Sequence, residues 1–121
     1  MAGTIKIIAG TDYSDTITLT EADGVTPRDI TGHNIKFKIA KTTGITDAAA
    51  SYFAQTDDAT DFVITTAASG ICTILIPDSV TKDFKDRTFQ WQIRDVNASG
   101  IVQDTDQGIC EVDLSLFDNE P

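Results

Sequence analysis

His33 is the only histidine of the chain, and a hydrolytic triad or a zinc site would have to be built on it. It follows Gly32 just ahead of an alternating segment, and no Ser or Cys nucleophile motif accompanies it, so it reads as a solvated turn residue. Two groups of acids could offer oxygen donors: Asp57, Asp58 and Asp61, and Asp104 with Asp106. Calcium takes six to eight oxygens, and neither group has the spaced acids, glycine and distal Glu of a calcium loop. Solvated turns are the reading, with a weak single-cation site left open where turns converge. Cys72 and Cys110 sit on apolar faces as free thiols, with a cross-strand disulfide as the alternative; neither has a second Cys or His two residues away. Trp91 reads as a core residue; a sugar-stacking role would need Tyr13 and Tyr52 exposed beside it. Lys36, Lys38 and Lys41 line the wet side of one strand, where they guard an edge or pair with nearby Asp residues. Asn97-Ala98-Ser99 matches a glycosylation acceptor in form but reads as a turn. No glycine-rich phosphate loop occurs, and no catalytic residue, cofactor or metal site is expected.

The elements that must position these residues are strands. Of 121 residues, 15 are Ile, 6 Val and 18 Thr, whereas only 4 are Leu. β-Branched side chains lose rotamer freedom in a helix and fit a pleated surface. The acids are 16 Asp and 3 Glu, and Asp favours turns over helix interiors. A net charge of −10 argues against nucleic acid as a partner, since no run of phosphates could be neutralised. No stretch approaches the ~18 apolar residues of a membrane span, so no membrane insertion is expected. Met1-Ala2-Gly3-Thr4 lacks the basic segment of a signal peptide.

Thr4 to Ala9 is a short apolar run, and Asp15 to Thr20 alternates, with Ile17 and Leu19 on one face. Asp23-Gly24 is a turn signal. In residues 34–41, Ile35, Phe37 and Ile39 face in while Lys36 and Lys38 face water. Residues 42–50 read as a loop or a helical turn capped by Asp47. Ser51 to Thr56 and Asp61 to Thr66 are strand candidates around the acidic turn. Ile71 to Ile76, closed by Pro77, fits a central strand with both faces covered. Asp78 to Phe84 is the best helix candidate, capped by Asp78 or Ser79, and at most about two turns. Arg87 to Val96 alternates, with Phe89, Trp91 and Ile93 inward; Asn97 to Gly100 turns; Ile101 to Asp104 and Gly108 to Leu114 return, with Cys110 and Val112 inward. The expected core is Phe37, Ile39, Ile74, Phe89, Trp91, Ile93, Cys110 and Val112. The whole is one domain over residues 1–121, all-β: an antiparallel, immunoglobulin-like β-sandwich of seven to nine strands with one short helical turn, and residues 115–121 a loose tail.

Glu21 to Phe37 (EADGVTPRDITGHNIKF) runs from Asp-Gly through Pro and Asp-Ile-Thr-Gly into an alternating strand. Ser69 to Phe84 (SGICTILIPDSVTKDF), Thr88 to Gly100 (TFQWQIRDVNASG) and Gly108 to Val112 (GICEV) follow in order. Together they resemble the N-terminal domain of the phage baseplate upper protein family and related small tail-associated β-sandwich proteins. The resemblance implies a phage or prophage virion structural protein, in baseplate, tail or neck. Its partners would be other copies of itself and neighbouring phage structural proteins, and it would be made in the bacterial host cytoplasm. Baseplate upper proteins carry further domains, so a stand-alone adaptor or accessory subunit is the expectation. The resemblance supplies no catalytic residues. A carbohydrate-binding β-sandwich module is the alternative reading. On the assembly reading the interface residues are Lys36, Lys38 and Lys41, with Asp57, Asp58 and Asp61 as acidic counterparts on a neighbouring copy, or with a partner protein supplying the acid.

Overall fold

The computed structural model describes residues 2–42, 44–46, 49–57 and 61–113. Eight strands follow in order: β1 (Ala2–Ile8), β2 (Tyr13–Thr18), β3 (Asn34–Ala40), β4 (Tyr52–Gln55), β5 (Phe62–Thr66), β6 (Ile71–Ile76), β7 (Thr88–Val96) and β8 (Val102–Asp113). One helical turn, α1 (Asp78–Thr81), joins β6 to β7. A five-stranded sheet in the order β1-β8-β7-β3-β4 faces a three-stranded sheet in the order β2-β6-β5. All pairings are antiparallel except β1 with β8, which is parallel. Two sheets packed face to face, with the chain crossing between them, make an immunoglobulin-like β-sandwich.

Alternation decides which residues fill the space between the sheets. β7 reads outward, inward, outward from Thr88, which buries Phe89, Trp91, Ile93 and Asp95. β3 buries Ile35, Phe37 and Ile39 in the same way. All eight expected core residues are buried, and the Phe37 and Trp91 rings stack with centroids 6.1 Å apart. Cys72 and Cys110 are both free thiols and fully buried.

Several details differ from the sequence reading. The expected strands 101–104 and 108–114 are one strand, β8. Its register steps from Ile93↔Asp106 to Arg94↔Asp104, so Thr105 is an extra residue in a bulge that keeps the pairing continuous. Asp104 and Asp106 therefore lie in a strand, not in a turn. β6 is central in its sheet, but only its inner face is covered; Leu75 is exposed because no layer packs outside. α1 is shorter than expected and starts at Pro77, not at an Asp78 or Ser79 cap; the backbone N–H of Asp78 donates instead to Asp12 Oδ1 at 2.8 Å. The Asp47-capped turn and the tail beyond Asp113 lie outside the described residues.

Gly70 is a pivot of the inter-sheet connection. It adopts φ +70°, and a Cβ there would stand 2.5 Å from the Leu19 carbonyl oxygen and 2.6 Å from that of Arg28. Only glycine fits so close to two passing backbones. Leu19 N–H donates to Gly70 O, and Ile30 N–H to Ala67 O, which seats the 19–30 segment across the end of the sandwich.

Candidate functional site

The outer face of the five-stranded sheet follows from the same alternation. Register sets its residues in rows across the strands. Lys36, Arg94 and Asp104 share one row; Lys38, Gln92 and Gln107 share the next; Ala40, Gln90 and Ile109 the one after. Phe53 and Gln55 on β4 extend the rows on one side, Thr4 and Lys6 on β1 on the other. The chain after β3 rises along the rim, held where Lys38 Nζ donates to the Ile45 carbonyl at 2.8 Å. The result is a shallow groove of about 640 Å³ with Ala40 at its floor, Ile45 and Phe53 on one flank and Ile109 on the other.

The charges on this face are arranged by side. Lys36 and Lys38 lie on β3, and Asp104, Glu111 and Asp113 on β8. Arg94 reaches across the row to Asp104, Nε to Oδ1 at 2.6 Å and Nη2 to Oδ2 at 3.3 Å. These hydrogen bonds hold the Asp104 carboxyl below the usual carboxylate range. Within the five strands, four outward cations (Lys6, Lys36, Lys38, Arg94) meet three outward carboxylates (Asp104, Glu111, Asp113), so this face is close to neutral on a chain of net charge −10.

The expected interface residues are only partly brought together. Lys36 and Lys38 line the groove. Lys41 stands at its end and pairs with Asp86 Oδ2 at 2.5 Å. Asp57 and Asp61 belong to the crossing from β4 to β5: Asp57 N–H donates to Asn34 Oδ1, and the Asp61 carbonyl accepts from Leu75 N–H. Asp57 therefore stands against Asn34 at the end of the lysine face, whereas Asp61 is off that face, against β6 of the other sheet. Asp58 lies outside the described residues.

His33 is not a solvated turn residue. Its Nδ1 lies 2.8 Å from Asp95 Oδ1, and Arg28 Nε donates to Asp95 Oδ2 at 2.7 Å. Asp95 is only 2 % exposed. Arg28 also donates to Gln103 and, at 3.5 Å, faces Glu21. The group clamps the 19–33 connection onto β7 and β8. Neither Asp95 nor Arg28 was singled out by the sequence reading. The signal was present in the parity of β7: Asp95 falls on the same face as Phe89, Trp91 and Ile93, and an acid at an inward position needs a partner. Among the described residues, no group of three or more His, Cys, Asp or Glu is placed to hold a metal ion.

The aromatic residues named for sugar stacking form no platform. Trp91 is inward, and Tyr13 and Tyr52 pack against the core. Burial pushes the Tyr52 hydroxyl up to about 12, and the Tyr13 hydroxyl upward as well, with the Asp15 carboxylate adding to it.

No family model matches the chain. No curated protein matches it either. Among solved structures, it is similar to the extracellular domains of the voltage-gated sodium channel β4 subunit, described as parallel homodimers with a role in cell–cell adhesion. The identity is 16%, the TM-score 0.44, and the match covers 95% of this chain and 93% of that one. A second structure, from work on multimeric cell-adhesive interactions of sodium channel β subunits, matches at 16% identity and TM-score 0.44 over 92% and 91%. These findings correct the expectation of a phage or prophage virion structural protein: the similar structures are adhesion domains of channel subunits, and neither is a baseplate, tail or neck component. At this level of similarity they lend this chain no activity or partner of their own.

Proposed function

We propose that the protein is a binding module that acts by contact and not by catalysis, and that it associates with itself through the outer face of the five-stranded sheet. The observation that carries this reading is the charge distribution. Two bodies of net charge −10 repel, and contact is least opposed where the surface is near neutral and carries charges of both signs. The five-stranded face meets that condition and is also concave, with half-exposed Ile109 beside a groove floored by Ala40. Five strands of four to twelve residues, at ~4.8 Å spacing and ~3.3 Å rise per residue, make a face of roughly 600 Å², below but near the ~800 Å² per partner of a standard interface.

Sedimentation equilibrium over a wide concentration range tests self-association directly. Face assignment is tested by blocking. Cys72 and Cys110 are buried, so a cysteine introduced on the surface takes a bulky maleimide selectively. Gln92→Cys, labelled, is expected to abolish association. Thr16→Cys, labelled on the outside of the three-stranded sheet, is expected to leave it intact. A chain that stays monomeric at millimolar concentration overturns the reading, and so does association blocked at position 16 and not at 92.

A further inference from the structure

Resting on that reading, we infer that the second copy docks by a two-fold axis running along β7, so that β3 of one copy lies over β8 of the other. The argument is the asymmetry of the face about its central strand. The basic residues Lys36 and Lys38 lie on β3, to one side of β7; the acids Asp104, Glu111 and Asp113 lie on β8, to the other, with Lys6 beyond them on β1 level with Glu111. Rotation about β7 exchanges β3 with β8 and keeps each row at its own level.

The register then fixes who meets whom. Lys36 and Asp104 share the row of Arg94, so Lys36 of each copy comes over Asp104 of the other. Ala40 and Ile109 share the row of Gln90, so Ile109 of each copy comes over the groove floor at Ala40, between Ile45 and Phe53. Ile109 is 50% exposed in the single copy, and the groove is where an apolar knob of that size finds apolar walls. Gln90, Gln92 and Arg94 lie on the axis: each glutamine amide can donate to and accept from its own symmetry mate, and the two Arg94 side chains meet there, each turned to its own Asp104. An axis running across the strands would instead set β3 over β3 and bring lysines together. Every contact off the axis occurs twice, as an isologous interface requires.

The test is a charge exchange read by sedimentation equilibrium. Lys36→Glu alone and Asp104→Lys alone should each weaken association by about tenfold or more, because each homodimer then holds two like-charge contacts. An equimolar mixture should form a heterodimer near parental affinity, since both of its contacts are again opposite in sign. Ile109→Asp should also weaken association at an unchanged melting temperature, which keeps the idea testable if Asp104→Lys disturbs its own pair with Arg94. Variants that associate as tightly as the parent, or a mixture without rescue while labelled Gln92→Cys still blocks, would overturn this docking geometry and leave the face assignment standing. A parent chain that never associates removes both.

Discussion

Two Arg–Asp pairs in this molecule have the same chemistry and opposite surroundings. Arg28 meets Asp95 at 2.7 Å beneath the 19–33 connection, where Asp95 is 2 % exposed. Arg94 meets Asp104 at 2.6 Å on the outer face, where both side chains are more than two-fifths exposed. The buried pair cannot lose one member cheaply, because Asp95 has no water to turn to and Arg28 would keep only Gln103 and the more distant Glu21. The open pair exchanges with solvent and salt, so it adds little to stability and stays available to a partner. Burial, not bond length, separates a charge pair that holds the fold from one that can serve recognition.

The sharpest way to break that contrast is to remove each acid. Asp95→Ala should cost about 3–5 kcal/mol in denaturant unfolding, since it removes the one buried carboxylate that Arg28 and His33 share. A loss below about 1 kcal/mol would mean that the clamp is not what ties the connection down. Gly70→Ala comes next, at roughly 1–3 kcal/mol or more from the left-handed backbone, plus the approach to Leu19 and Arg28. An unchanged melting temperature would show that this crossing can shift without harm.

The thiols give a pH-dependent measure of the same enclosed interior. Burial pushes both Cys72 and Cys110 up to about 11 from an ordinary value of 9.0. Their native-state labelling at pH 8 should be slow and should accelerate only on unfolding. With a raised native value, their contribution to stability is intact below pH ~9 and is lost as pH rises toward ~11, where the unfolded thiol ionises first. Fast labelling of either thiol in the folded protein would contradict the enclosure. The smallest stability effect belongs to the open pair. Asp104→Asn should cost at most about 1 kcal/mol. What little it contributes is present above the ordinary carboxylate pKa and lost as pH falls, because Arg94 lowers the native value. A larger cost would place Arg94–Asp104 among the fold-holding pairs.

The apolar half of this architecture was legible in the sequence. Period-2 alternation through Phe37, Ile39, Phe89, Trp91 and Ile93 found the inner faces, and turn signals found the breaks. The polar half was not. A bulge at Thr105 hides in a strand that reads as two, because one extra residue inverts the parity on which the reading depends. The Asp95 clamp draws on residues 28, 33 and 95, and only the tertiary crossing at Gly70 brings them together. The lysines of β3 can be assigned to a wet face from the alternation alone, but which acids share that face cannot. In the fold, the acids on that face come from β8, which the chain reaches much later.

The parallel pairing of β1 with β8 has a consequence for how the chain is born. Ala2 pairs with Gln107 and Ile8 with Asp113, so every paired position of that ladder lies 105 residues from its partner. During synthesis, β1 emerges first and has no partner in its own sheet until the last of the eight strands has cleared the ribosome. The β2-β6-β5 sheet and the β3-β4 and β3-β7 pairs can all form earlier. Such long-range closure is slow, in the millisecond-to-second range of all-β domains. Through that interval Ile5 and Ile7 wait unsheltered on an unpaired strand, making the nascent chain most vulnerable to sticking just before β8 emerges.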